Sequence, residues 1–141
     1  MLMKRKIYDE MLEWKNEWSD RTSLLIDGAR RVGKSYIAEE FAKNEYRSYI
    51  MVDFGRAADE VMNLFKLYLN DLDTFFMYLS TYYNVKLYER ESVIIFDEVQ
   101  AIPVKCTELF NLAVNFLSQF CRTTVVLCSA TQPTLASLEE N

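Results

Sequence analysis

The chain has 141 residues, of which 50% are hydrophobic and 14% aromatic, and these values suit one domain with a packed core and exclude a disordered chain. The net charge is −5, and residues 51–141 carry the acidic excess, which is a poor electrostatic footprint for nucleic acid. Three cysteines without C-x-x-C spacing and a complete lack of histidine argue against a zinc site.

The cysteines and the first residues of the chain also bear on its location. Cys106, Cys121 and Cys128 are expected to be buried free thiols in a reducing compartment. Polar residues follow the basic start of the chain, where a signal peptide would have its apolar core, and no apolar run has membrane length. The sequence therefore predicts a cytoplasmic protein with no membrane partner.

The first predicted element is an amphipathic helix over residues 3–19. Ile7, Met11, Trp14 and Trp18 recur at the spacing of one helical face. Packing of this face on the domain is the favoured interpretation, and a partner-binding face is the alternative.

A glycine-rich segment at residues 28–35 fits the pattern G-x-x-x-x-G-K-[ST]. It follows an apolar run at 22–27, predicted to be a strand, and precedes a helical pattern that begins near Ser35. Strand, glycine loop and helix in this order are the context of a phosphate-binding loop. The residues expected to contact a nucleotide are Gly28, Ala29, Arg30, Arg31, Val32, Gly33, Lys34, Ser35 and Tyr36.

Individual roles follow from the chemistry of such a loop. The two glycines allow a tight turn that exposes backbone N–H groups, and the positive end of the new helix points at the same place. Lys34 is expected to reach the β- and γ-phosphates as a catalytic residue, and the Ser35 hydroxyl to hold Mg²⁺. Arg30 and Arg31 remain open between phosphate or partner contacts and the favoured interpretation, solvated loop charges.

The middle of the chain continues with a strand at 46–53 and a helix at 57–68. Asn70 or Asp71 is expected to cap a further helix that ends near Tyr83. The aromatic residues of these helices have core spacing and are assigned to packing.

A continuous apolar strand at 92–96 then delivers Asp97 and Glu98 at its carboxyl end. This is the Walker B arrangement, in which Asp97 is expected to hold Mg²⁺ and Glu98 to orient and polarise the attacking water. An ordinary acidic turn after a strand is the alternative, which the upstream Lys34 and Ser35 make the weaker one.

The last predicted elements are a helix at 106–120 and a strand at 123–128. Ser129 and Thr131 follow this strand at the edge that lines the ligand crevice of an open α/β sheet. A hydroxyl there, or the amide of Gln132, is a candidate γ-phosphate sensor, and a polar strand end without function has equal weight.

Four features of the first hundred residues are similar to a prokaryotic AAA-type ATPase family. They are the Trp-bearing leading helix, the segment 25–35, the strand end at 52–54, and the segment 94–100 followed by Pro103. Members of that family continue through a lid into a C-terminal domain of unknown function. The resemblance implies ATP and Mg²⁺ as cofactors.

The last third resembles the helicase–nuclease of type I CRISPR interference. Asp97-Glu98-Val99-Gln100 is similar to its D-E-x-x box and Ser129-Ala130-Thr131 to its S-A-T motif, whose hydroxyls link the ATP site to strand movement. The two resemblances meet near residues 96–100. This motivates the hypothesis of a chimaera, natural or from a misjoined gene model, that is also truncated.

The predicted fold is a three-layer α/β P-loop NTPase of the AAA-like type with about four mainly parallel strands, ending before a fifth strand and a lid. By resemblance, the strand at 22–27 lies centrally and the strand at 123–128 separates it from the Walker B strand. The expected units are the helix 1–21, packed on the core, and a partial ATPase core 22–141, AAA-like to residue 100 and helicase-like from 101.

The predicted function is ATP binding with Mg²⁺-dependent hydrolysis. The alternatives are a fragment of a superfamily 2 helicase motor, for which nucleic acid would be a partner, and a non-catalytic fragment. The strand at 22–27 is expected to be buried on both faces with one edge unpaired, so self-association is also expected unless the N-terminal helix or the 132–141 tail covers that edge. A protein partner is left open.

Overall fold

A computed structural model describes residues 2–28, 33–119 and 123–130. Within them, the strands are β1 Leu24–Gly28, β2 Ser48–Asp53, β3 Ser92–Asp97 and β4 Thr124–Ala130. The α-helices are α1 Leu2–Glu17, α2 Lys34–Glu45, α3 Phe54–Tyr68, α4 Leu72–Tyr83 and α5 Thr107–Gln119. Two 3₁₀ turns, η1 Val99–Ala101 and η2 Val104–Cys106, connect β3 to α5. In these ranges no helix is both long and apolar enough to cross a membrane.

The strands form one parallel sheet in the order β1-β4-β3-β2. The last strand of the chain lies between the first and the third, with Ile26 opposite Cys128 and Ile95 opposite Val126. The predicted α/β fold with a parallel four-stranded sheet is therefore confirmed, as is the separation of β1 from β3. Since the described residues place no strand beyond β1, β1 lies at an edge of the sheet and not at its centre.

The core has two parts because successive strand residues point to opposite faces of the sheet. In β3, Val93 and Ile95 pack on the face covered by α1 and α2, whereas Ile94 and Phe96 pack on the face covered by α3, α4 and α5. The strand is buried from Val93 onward, as its unbroken apolar run predicts. Helices on both faces give the three layers.

Helix α1 packs through two of the four residues predicted for its apolar face. Met11 and Trp14 are buried against α2 and the sheet, and the Trp14 indole donates to the carbonyl of Thr22 at 3.2 Å. Ile7 is only partly buried. Trp18 follows the end of α1 and is 49% exposed, so the helical periodicity no longer applies to it.

The prediction that the first strand is buried on both faces is wrong. Ile26 is buried on the α1/α2 face, but Leu25, which points to the opposite face, is 53% exposed. On that face α3 packs against β2 and β3, and α5 packs against β4. Leu25 lies at the end of the sheet beyond these helices, which explains its exposure.

Candidate nucleotide-binding site

The carboxyl ends of parallel strands meet at one edge of a sheet, and several of the predicted site residues lie at this edge. β2 ends at Asp53 and β3 at Asp97, and these two residues are opposite each other in the register. β1 ends at Gly28, and α2 begins at Lys34 on the other side of the glycine loop. In open α/β sheets this edge forms the ligand crevice.

Gly33 precedes α2 with φ 82° and ψ 26°, a left-handed conformation that favours glycine. The first N–H groups of a helix have no acceptors within the helix, and its dipole is positive there. The first turn of α2 carries no acidic side chain and no side-chain cap. This helix end is therefore suited to an anion.

Ala29, Arg30, Arg31 and Val32 lie outside the described residues, and their expected nucleotide contacts stay predictions. Gly28 is described as the last residue of β1.

The structure brings Ser35 and Asp97 into direct contact, although 62 residues separate them in the sequence. The Ser35 hydroxyl lies 2.9 Å from Oδ1 and 2.8 Å from Oδ2 of Asp97, so it donates to this carboxylate. Asp97 is only 9% exposed. The start of the loop helix and the end of β3 thus share one compact cluster of oxygen atoms.

Burial is the main influence on Asp97 and raises the pKa of its carboxyl group above the ordinary value. The hydrogen bonds from the Ser35 hydroxyl and the Glu98 backbone lower that pKa, and the charges of Glu98 and Asp53 raise it. Together these influences raise the pKa of Asp97. The ionised form of Asp97 is therefore destabilised, and a bound cation would stabilise it.

Glu98 directly follows β3 and caps η1 in a left-handed conformation, φ 55° and ψ 44°. Its side chain is half-buried, and its Oε2 accepts a hydrogen bond from the side-chain amide of Gln100. A non-glycine residue at positive φ is uncommon and tends to occur where function constrains the backbone.

Lys34 occupies the first position of α2 and is half-buried. Its charge acts on the buried thiol of Cys128, as do the charges of Asp97 and Glu98. Burial, the largest influence, raises the pKa of that thiol to about 12, so Cys128 stays protonated and inert. Lys34 and the two acidic residues therefore surround the same part of the sheet edge.

Of the other predicted site residues, two lie within the described part of the chain and two outside it. Tyr36 is 61% exposed in the first turn of α2. Ser129 is buried on β4, opposite Asp27 of β1, and therefore at the same edge of the sheet. Thr131 and Gln132 fall outside the described part of the chain.

Sequence reasoning missed roles for Asp53 and Gln100. Asp53 caps α3 by accepting from the Gly55 N–H at 2.8 Å, and a Cβ at Gly55 would come within 3.0 Å of the same oxygen. The available signal was an apolar strand that ends in aspartate, as at Asp97. For Gln100, a polar amide two residues after a candidate catalytic glutamate was the signal.

The chain matches the family model of the AAA domain over residues 20–138. It belongs to the AAA domain family. As a member, it is a nucleotide-binding domain of the ATPase type. This match crosses residues 96–100, where the two resemblances meet, and so argues against a chimaera. The comparisons do not show the resemblance to a CRISPR-associated helicase.

Among solved structures, this AAA domain is similar to PCH-2 of C. elegans, with a TM-score of 0.49 and 11% sequence identity. The similarity covers 94% of this chain and 36% of the PCH-2 chain. No curated protein matches the chain.

Proposed function

We propose that this AAA domain binds ATP together with Mg²⁺ and hydrolyses the terminal phosphate. The observation that supports the proposal most directly is the contact between the Ser35 hydroxyl and the Asp97 carboxylate. It joins the last residue of the glycine motif to the end of a buried strand.

The donor atoms of this pair suit Mg²⁺, which prefers oxygen ligands and usually retains several waters. Ser35 supplies a hydroxyl and Asp97 a carboxylate, and burial, which raises the pKa of Asp97, disfavours its charged form, so a bound cation would stabilise that form. These two residues would hold the ion, which would supply positive charge to the phosphate oxygens.

The phosphate chain would lie against the start of α2. Gly33 allows the tight turn there, and Lys34 brings a cation to the same edge. Positioning and charge stabilisation of this kind account for most catalysis of phosphoryl transfer in P-loop enzymes.

Glu98 would contact the attacking water and polarise it, since it is the second carboxylate at the end of β3. A positioned general base typically contributes about 10²- to 10⁴-fold to the rate. Ser129, at the same edge, would contact the γ-phosphate. A cytoplasmic location and self-association belong to the same proposal.

An ATPase assay on the full chain, with and without Mg²⁺ and with and without single-stranded DNA, tests the function. We expect Mg²⁺-dependent turnover that single-stranded DNA leaves unchanged. Glu98→Gln should keep ATP affinity while turnover falls by about 10²-fold or more, because an amide cannot act as a base. The exposed Glu108, in the first turn of α5, provides the control Glu108→Gln.

Three other outcomes would contradict the proposal. Turnover that depends on DNA would favour the helicase motor. No binding and no turnover would favour the non-catalytic fragment. Unchanged turnover in Glu98→Gln would move the catalytic role away from Glu98, and Asp97 would be examined next.

A further inference from the structure

The turn after β3 brings together a hydrogen-bond donor, the side-chain amide of Gln100, and an acceptor, the carboxylate of Glu98. The left-handed backbone of Glu98 starts η1, and the Ala101 N–H donates to the Glu98 carbonyl at 2.9 Å. This tight turn brings Gln100 back beside Glu98, so that the Gln100 amide donates to one carboxylate oxygen of Glu98.

The turn that carries both side chains is packed against the core. Val99 packs against the core on the α3–α5 face, and Ile102, just after η1, is 8% exposed. η1 itself packs against β4 and α3. The Glu98 carboxylate would otherwise sample several rotamers, and the hydrogen bond from the Gln100 amide, in this packed turn, reduces that freedom.

The chemistry of the amide decides what this contact does. A neutral N–H₂ group orients a carboxylate without transferring a proton to it or neutralising its charge. A carboxylate can accept about four hydrogen bonds through its two oxygens, so one amide leaves capacity for a water molecule. A bound carboxylate that remains charged and oriented is what a general base requires.

We infer that Gln100 is a positioning residue for the reaction: its amide fixes the Glu98 carboxylate in the orientation from which it polarises the attacking water. The inference rests on the proposed ATP hydrolysis, and it assigns to Gln100 a role in turnover but none in ATP binding. Removal of the amide should therefore lower kcat and leave ATP affinity unchanged.

Two variants of the full chain separate orientation from shape. Gln100→Met keeps the length of the side chain and removes the donor without adding charge. Gln100→Glu keeps the shape and replaces the donor with a charge that repels Glu98. Asn115→Leu, an exposed amide on α5, is the matched control.

For Gln100→Met we expect kcat to fall by about 10- to 100-fold. A loss of this size is typical when a hydrogen-bond partner that orients a metal ligand is removed. The Kd for ATP and the Tm should stay at parental values, which a merely structural role would not allow. Gln100→Glu should lose at least as much activity, and Asn115→Leu none. Parental kcat in Gln100→Met, or a fall in Tm and affinity in step with kcat, would overturn the role of Gln100.

Hydrogen exchange gives a readout that does not depend on turnover. The bonded side-chain amide proton of Gln100 should exchange more slowly than those of the exposed Asn115, and Glu98→Ala should make the Gln100 proton exchange faster than in the parent. Equal exchange in the parent would overturn the inference. Absence of turnover in the parent would overturn the proposed function, and the role of Gln100 in it, whereas normal parental turnover with an active Gln100→Met overturns only the latter.

Discussion

Among single residues, Lys34 is the one whose substitution tests phosphate binding. A cation at the start of α2 is expected to contact anionic oxygens, and hydrogen bonds to charged groups contribute about 1.5–3 kcal/mol each. Lys34→Ala should therefore weaken ATP binding by about 10- to 100-fold or more, measured by isothermal titration calorimetry. Lys43→Ala, in the exposed last turn of the same helix, should bind ATP as the parent does. Equal affinity in Lys34→Ala would make the assignment of the loop wrong.

Asp97 shows how the same residue can favour function at the expense of stability. Burial raises its pKa, so the folded protein keeps this proton to a higher pH than the unfolded chain does. The free energy of unfolding therefore falls as pH rises from the ordinary value of 3.8 through the raised one. At neutral pH the ionised carboxylate of Asp97 destabilises the nucleotide-free fold.

Asp97→Asn should raise the Tm of the nucleotide-free protein at pH 7, since it removes the buried charge and keeps an oxygen for Ser35. The gain should shrink as pH falls toward 3.8, where Asp97 in the parent is protonated. At 100 times the Kd, Mg·ATP should stabilise the parent by about 2.7 kcal/mol, and the variant should lose most of this. Circular-dichroism melts between pH 4 and 8 check both effects, and a lower Tm for Asp97→Asn at every pH would contradict this account.

Among elements, α1 shows what hydrophobic periodicity predicts and where it ends. The spacing predicted one face through Trp18, but the helix stops at Glu17 and only Met11 and Trp14 are buried. Boundaries depend on turn and tertiary contacts, such as the Trp14 indole on the Thr22 carbonyl, that spacing does not encode.

The two tryptophans provide a matched pair of substitutions. Trp14→Ala removes a buried aromatic side chain and should lower the free energy of unfolding by about 3–5 kcal/mol. Trp18→Ala removes a half-exposed ring that lies 5.0 Å from the Arg21 guanidinium, and should cost less than about 1 kcal/mol. Urea unfolding followed by circular dichroism measures both. Similar losses for the two would mean that α1 packs in another way.

The strands were the elements that the sequence predicted best. The helices that cover each strand, and the contacts made in turns, were predicted least well. β3 has the unbroken apolar run of a strand buried on both faces, and its ends follow from Ser92 and Asp97. β1 has a similar run, yet Leu25 is exposed, because burial depends on which helix lies above a strand. Likewise, the glycine motif indicated Lys34 and Ser35 directly, whereas the contact between Gln100 and Glu98 depends on a left-handed turn that residue types alone do not indicate.

For the whole molecule, the exposed edge of the sheet predicts self-association. Within the described residues β1 pairs only with β4, and a cavity of about 190 Å³ lies between β1 and α1, with Leu25 and Met11 in its lining. An open strand edge with apolar neighbours is a template for pairing between molecules. The apparent mass in sedimentation should therefore rise with protein concentration, and Leu25→Lys should suppress the rise. A monomer at every concentration would contradict this prediction.

The position of β4 in the sheet has a consequence for how the protein is made. The strand that carries the glycine loop leaves the ribosome early, but its partner in the register follows roughly a hundred residues later, as the pairing of Leu24 with Val126 shows. Until β4 is complete, the loop strand has no neighbour among the described strands. Pairing over such a separation is slow, because the entropy of closing the chain must be overcome before the contacts form. The nucleotide site is therefore expected to assemble later during synthesis than the β2–β3 half of the sheet.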